Sequence, residues 1–334
     1  MSTKKKIGMV LGGIIVFYLF IVTPIVMWVF SNEPDTFDVS AVTQEMSTKN
    51  GKPVVFGSHI LATTIKMSDV LLGKTGGYMS NDVLFPLTVM DNIPSWELGV
   101  VEIERVVSLT LRKDFSRSQS QSVENKSLVT AQTAFNNNHA EWVFPSAESK
   151  FEEGRVALSV YMDQIADSSL PDIQFYARAD NLANLLSEFS SKLGSLSQNL
   201  SASTMQGTIR ENTDLANDAS ATQSTVTTKK KYEKTPWSQI DNVFYEARGQ
   251  SWAMLHILKA VKLDFKDVLD KKNAHPSLDQ IIKELEDTQK PVNSIIIMNG
   301  DGFGILANHS LVMANYISRA NAAIINMVDL LKQG

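Results

Sequence analysis

Ile7 to Phe30, IGMVLGGIIVFYLFIVTPIVMWVF, runs 24 residues without a charge. At about 1.5 Å per residue it makes roughly 36 Å of helix, enough to cross a bilayer whose hydrocarbon is roughly 30 Å thick. No other stretch restricts the chain so strongly, because a rod of this polarity has to be withdrawn from water. It exceeds an ordinary signal-peptide core of about 7 to 15 apolar residues. A cleaved signal, with Val29 and Ser31 as small residues near a cut, is the other reading. Lys4, Lys5 and Lys6 precede the run and Glu33, Asp35 and Asp38 follow it. The positive-inside tendency therefore predicts a cytoplasmic tip (1–6), a span (7–30) and a remainder outside, with Trp28 as an interfacial anchor. Gly8 and Gly12 form a GxxxG spacing that admits a homodimer through the span.

Charge excludes one large class of partner. Lys+Arg 31 against Asp+Glu 36 gives −5, and without the three leading lysines the balance is 28 against 36, or −8. An acidic body does not suit nucleic acid, which demands a basic face. With no cysteine there are no disulfides, no thiolate catalysis and no zinc–thiolate site.

Beyond the span the periodicity is helical, and the expected class is mainly α. In DNIPSWELGVVEIERVVSLTL, Trp96, Val100, Ile103, Val107 and Leu111 fall on one face, with Pro94 near the first turn. SAESKFEEGRVALSVYMDQIAD carries a capping-box pattern, Ser149 with Glu152. Phe175, Leu182, Leu185, Leu186 and Phe189 mark the buried side of the next helix. Thr235 and Pro236 suit the N-cap and first residue of a helix running through FYEARGQSWAMLH, and Ser277 with Gln280 makes another capping box. Only SIIIM, 294–298, looks strand-like. One break divides this pattern: Ser203 to Lys234 is rich in Ser, Thr, Asn and Asp and offers too little apolar surface to offset the entropy of ordering. It reads as a flexible linker or long surface loop between a helical part 31–202 and a second helical part 235–334. A second polar stretch, Ser116 to Ser122, reads as a solvated loop, or as a hydroxyl- and amide-rich rim in which Arg117 supplies the charge.

Catalytic signatures are sparse. NGDGFGILANHS, 299–310, has GxGxG where a dinucleotide site needs GxGxxG, and no Walker pattern is present. It reads as a tight turn that needs positive φ and starts the last helix, whose N–H groups would suit an anion. GQSWA at Gly249–Ala253 departs from GxSxG and sits within a helical pattern, so Ser251 is a poor nucleophile. Outside the leading residues no serine has a lysine three positions on. His59, His139, His256, His275 and His309 lack metal-ligand spacing. No cofactor and no metal are expected.

Directed polar groups remain as the candidate site. If 308–332 is one helix, Asn308, Asn315, Arg319 and Asn326 share a stripe opposite Met313, Tyr316, Ala320, Ile324, Met327 and Leu331. The stripe is a solvated face or a hydrogen-bonding one, and asparagine is a mediocre choice for mere exposure. Two further helices carry Tyr176, Arg178, Asp180 and Asn181, then Tyr245, Glu246 and Arg248. The expectation is a polar network among these helices, structural or lining a cleft. Its binding residues are Arg178, Asp180, Asn181, Glu246, Arg248, Asn308, His309, Asn315 and Arg319.

GKTGGYMSNDV (73–83), RKDFSRSQSQS (112–122), FYARADNL (175–182), FYEARGQSWAMLH (244–256) and NHSLVMANYISRANAAI (308–324) together resemble an uncharacterised family of single-span inner-membrane proteins of Gram-negative bacteria. The resemblance covers nearly the whole chain except the polar break. It implies a periplasmic body in the bacterial envelope and carries over no catalytic residue. The reading that follows is a non-catalytic interaction or scaffolding module of the cell envelope. Its expected partners are the bilayer, through 7–30, and an envelope protein. The alternative is a hydrolase acting on peptidoglycan or lipid, with carboxylates such as Asp180 or Glu246 as acid and base.

Overall fold

The computed structural model describes residues 3–118, 122–204, 208–211, 230–294, 296–301 and 304–333. The fold is mainly α. Helices α1 (Thr3–Phe17) and α2 (Thr23–Phe30) are joined by a π-helical turn, Tyr18–Val22, into one rod. Pro24 has no N–H for the preceding turn, and a local π adjustment is how a helix absorbs that loss. Met9–Phe30 is long and apolar enough to cross a membrane.

The body follows as α3 (Val39–Asn50), α4 (Ser58–Gly73), α5 (Asn92–Thr110), α6 (Lys126–Phe135), α7 (Ala147–Ile165) and α8 (Ala179–Ala202). After the polar break come α9 (Ile240–Asp264), α10 (Lys266–Lys271), α11 (His275–Thr288) and α12 (His309–Lys332). Helix α9 is the hub: every residue from Ala247 to Leu258 is buried, as befits a helix enclosed on all sides. Helices α4, α5, α8, α11 and α12 all touch it, and α12 also lies along α8 and α11. The predicted apolar faces form this core. Trp96, Val100, Ile103, Val107 and Leu111 are fully buried, as are Leu182, Leu185, Leu186 and Phe189. Phe175 precedes α8 in an extended segment and packs between Phe115 and Phe265, at 4.9 and 5.9 Å between ring centres.

Helices α5 and α9 meet backbone to backbone. A Cβ on Gly99 would lie 2.3 Å from the Glu246 carbonyl oxygen, and one on Gly249 would lie 2.0 Å from that of Trp96. Glycine inside a helix costs about 1 kcal/mol relative to alanine, and here the cost admits a close crossing. Trp96 and Trp252 then pack edge to face across it, 5.1 Å apart.

Three helix starts differ from the sequence reading. Ser146, not Ser149, caps α7 and accepts from the Ser149 N–H at 3.4 Å, because the helix begins early enough to bury Ala147. The Thr235 N–H is spent on the Ala202 carbonyl, 3.0 Å away, so Thr235 and Pro236 stay extended and α9 begins at Ile240 after a 3-10 turn. Ser277 lies inside α11, whose first turn holds Pro276, and Gln280 donates forward to Glu284 instead of back to a cap.

The polar break is an excursion with a closed neck. Besides the Thr235–Ala202 bond, Ser203 Oγ donates to Thr235 Oγ1 at 3.0 Å, and Asn299 Nδ2 donates to the Ser203 carbonyl at 2.6 Å. Beyond the neck, strands β1 (Thr208–Glu211) and β2 (Lys230–Glu233) pair antiparallel. Residues 212–229 lie outside the described residues. SIIIM forms no strand among its described residues; an isolated bridge joins Asn299 to Asn308 just beyond it. The following turn also differs from expectation at Gly300. A Cβ there would lie 2.5 Å from the Leu306 carbonyl oxygen, so close approach rather than positive φ demands glycine. Gly302 lies outside the described residues.

Candidate functional site at the junction of rod and body

Residues 33–37, just beyond the rod, are strapped into a row of α9 side chains spaced four apart. One face of a helix repeats at that spacing, so Arg248, Trp252 and His256 point along the same line. Arg248 is 5% exposed and holds the Glu33 carboxylate through Nε at 2.8 Å and a terminal nitrogen at 2.5 Å. Its other terminal nitrogen donates to the Thr288 and Lys290 carbonyls, each at 2.9 Å. One guanidinium thus ties the strap, α9 and the end of α11. One turn on, Trp252 Nε1 donates to the Asp35 carbonyl at 3.3 Å. A further turn on, the Phe37 ring stacks on the His256 ring with centres 3.9 Å apart.

The bonds of His256 fix its proton. Nδ1 faces the Trp252 carbonyl at 2.7 Å and must donate, whereas Nε2 accepts from the Phe37 N–H at 3.0 Å. Protonating Nε2 would set two N–H groups against each other. Burial accordingly pushes the imidazole down to about 4, against a partial opposing pull from the Trp252 carbonyl. The unfolded chain takes up this proton near 6.5, so between there and about 4 it binds more protons than the native state, and stability falls as pH falls. Acidification through this window is expected to loosen the strap before the core, seen as a falling protection factor at the Phe37 amide once the intrinsic slowing of exchange with pH is corrected for. A His256→Gln variant is expected to lose that pH dependence. Equal protection factors for the Phe37 amide at pH 7 and pH 4 in the parent protein, after correction for the intrinsic exchange rate, would contradict the assignment.

Two concavities flank Arg248. One, about 490 Å³, is lined by the strap, Arg248, Trp252, Lys259, Glu286 and Lys290 among others. The second, about 200 Å³, is more apolar, with Phe244, His309, Val312, Met313 and Tyr316 in its wall. Their acidic groups are largely neutralised in place: Glu33 by Arg248, Glu286 by Lys259 at 2.7 Å and Asp287 by Lys290 at 2.7 Å.

The structure brings together only part of the residue set expected from sequence. Arg248 and His309 share the second concavity, and His309 Nδ1 accepts from the Met298 N–H at 3.0 Å. Asn308 caps α12, accepting from the Leu311 N–H at 2.8 Å and donating to the Gly300 carbonyl at 2.6 Å. Asn299 takes the Ser310 N–H, so two of the N–H groups expected to suit an anion are already bonded. Arg178, Asp180 and Asn181 form a separate cluster at the start of α8. Arg178 bonds Asp180 and the Ser118 carbonyl, and buried Asn181 donates to the Asp114 and Tyr176 carbonyls at 2.9 Å. Arg117 turns to Glu124 at 3.7 Å instead of standing as the charge of a rim. Glu246 faces α5, and burial, with Glu102 nearby, raises its carboxyl above the usual range. Asn315 and Asn326 are exposed, which makes that part of the stripe a solvated face. Arg319 reaches Glu284, a carboxylate with 1% of its side chain exposed, at 2.5 Å. The expected single network is therefore three separate ties, separated because α8, α9 and α12 present these residues on different sides.

A second junction was not legible in the sequence. Met27 and Phe30 of α2 pack with Leu87 against Met79, Met90 and Ile93 of the body. The Met79 segment is shaped by a buried ion pair: Lys74 Nζ lies 2.6 Å from Glu97, which also accepts from the Met79 and Ser80 N–H groups. Gly76 and Gly77 turn with φ of 92° and 69°, which side chains disfavour. Tyr78 then reaches the His139 carbonyl at 2.9 Å, and Asn81 reaches Glu148 at 2.8 Å. GKTGGYMSNDV is thus a connector that seats the C-terminal end of the rod.

Fold and junctions together define a helical body fused to a long apolar N-terminal helix. The chain belongs to a family of uncharacterized proteins conserved in bacteria, DUF2333, whose model matches residues 2–334. Comparison with curated proteins and with solved structures returns no match.

Proposed function

We propose that this protein is anchored in the bacterial inner membrane by residues 7–30, with its N-terminus in the cytoplasm and its body in the periplasm. It acts there as a non-catalytic interaction or scaffolding module. The observation that carries this reading is the strap: three successive turns of α9 grip residues 33–37, so the body is held to the rod rather than tethered loosely. A scaffold benefits from such coupling because it sets the height and facing of its binding surface. The packing of Met27 and Phe30 on the body supports a retained anchor over a cleaved signal, since a cut after Ser31 would strip both contacts. Pairing of Glu33, Glu286 and Asp287 with cations speaks for a binding cleft rather than an acid–base pair.

Alkaline phosphatase fused after Gly334 is expected to be active, and a cytoplasm-dependent reporter there to be dark; the reverse pattern overturns the topology. A photocrosslinker at Val312, in the apolar wall beside Arg248, is expected to capture an envelope protein and to lose that adduct in a Tyr316→Glu background. Hydrolysis of peptidoglycan or lipid by purified protein, abolished by Glu246→Gln, would replace the module with the enzyme.

A further inference from the structure

The geometry points to a second membrane contact: the loop Val83–Val89 is immersed in the outer leaflet beside the span, so that lipid covers its apolar face. This inference rests on the membrane-anchored reading above. It begins with a length. The described side chains from Ile7 to Ile21 are all exposed, and at about 1.5 Å per residue that free stretch amounts to roughly 22 Å. Hydrocarbon is roughly 30 Å thick. The leading lysines fix the inner boundary, so the missing depth has to come from the outer part of the rod, the part the body lines. Exposed Trp28, suited to the interface, marks the outer boundary in the same place.

What lines that part of the rod is the loop. The Tyr18 hydroxyl donates to the Phe85 carbonyl at 3.2 Å, and Leu87 packs with Met27 and Phe30 farther out. The loop therefore runs beside the rod over the depth that must be filled. Its composition suits that place: Val83, Leu84, Phe85 and Val89 are 54, 73, 49 and 56% exposed, with no charge between them. In water such a cluster is unfavourable, because its apolar surface stays hydrated.

Backbone chemistry agrees in the second half of the loop. Non-helical chain at hydrocarbon depth needs its polar groups satisfied by protein. Thr88, Val89 and Met90 donate their N–H groups back to Leu84, Pro86 and Leu87 at 3.3, 3.2 and 3.0 Å. Pro86 has no N–H to satisfy, and the Phe85 carbonyl has the Tyr18 hydroxyl. A tyrosine in the middle of an apolar span thereby acquires a reason. A neighbouring loop, tied to the same region by Asn81 Nδ2 on the Glu141 carbonyl at 3.0 Å, exposes Trp142 and Phe144 by 62 and 98%. Aromatic residues of this kind suit the headgroup level flanking the immersed loop.

The chain has no cysteine, so single cysteines report individual positions. Full-length Val16→Cys, Leu84→Cys and Asn315→Cys would each carry a small neutral fluorophore in phosphatidylcholine vesicles at low protein-to-lipid ratio. Nitroxide on the lipid acyl chains would serve as quencher. Probes at positions 16 and 84 are expected to lose about half or more of their emission, and the probe at 315 to keep nearly all of it. Strong quenching at 16 with none at 84 overturns the immersion alone and leaves the surface to a protein partner. No quenching at 16 overturns the span on which it rests.

Discussion

Gly249→Leu is expected to cost the body at least about 3 kcal/mol, a large fraction of the roughly 5–15 kcal/mol that holds an ordinary domain folded. Overpacking a core usually costs about 1–3 kcal/mol because neighbouring side chains yield. Here the neighbour is main chain: a Cβ at 249 would sit 2.0 Å from the Trp96 carbonyl oxygen, with its carbonyl carbon and Cα at 2.9 and 3.1 Å. Only separation of the α5 and α9 axes makes room, and that opens the Trp96–Trp252 contact at the centre of the core. Gly194→Ala serves as the control, since its Cβ would meet nothing nearer than Asn321 Nδ2 at 3.8 Å. It is expected to be neutral or to gain up to about 1 kcal/mol from helix propensity. Urea melts followed by circular dichroism compare them, and a Gly249→Leu melt within about 1 kcal/mol of the parent would refute the backbone crossing.

Arg248→Met is the second large effect, expected near 3 kcal/mol. Removing one partner of a buried ion pair typically costs about 3–5 kcal/mol because the other charge is left without compensation. The Glu33 side chain retains 17% exposure and can turn partly to water, which places the loss at the lower end of that range. The Thr288 and Lys290 carbonyls lose their donor as well. Glu33→Gln combined with Arg248→Met is expected to cost less than the sum of the singles, with a coupling of about 1 kcal/mol or more. Simple additivity would mean that the pair does not hold the strap. Exchange at the Phe37 amide should rise with Arg248→Met, since only Trp252 and His256 then hold the strap.

These effects mark where reading the chain by period stops. The long apolar N-terminal helix follows from an uninterrupted apolar run, and helical class and the buried faces of α5, α8 and α12 from apolar residues recurring at three and four, because burial on one side of a helix imposes that spacing wherever the helix packs. The absence of a recognisable catalytic motif was equally a property of the linear order. Helix starts were less secure. Ser149, Thr235 and Ser277 each have cap chemistry, but capping is decided by where the chain enters the helix, and burial of Ala147, the neck at Ala202 and Pro276 decided that.

Only tertiary structure decided the junctions. Glu33 and Arg248 are 215 positions apart, and nothing local to either announces the other, since an ion pair is a property of distance in space. Gly99 and Gly249 were visible as glycines inside helical patterns, a costly choice that signals close approach, yet their pairing needed the crossing of α5 and α9. Tyr18 looked like one aromatic residue among many in an apolar run until the Phe85 carbonyl was placed against it. The polar candidates Arg178, Arg248 and Arg319 were found from sequence, but the network was not. Periodicity fixes which side of its own helix a residue occupies, and only the packing of helices fixes which residue it meets.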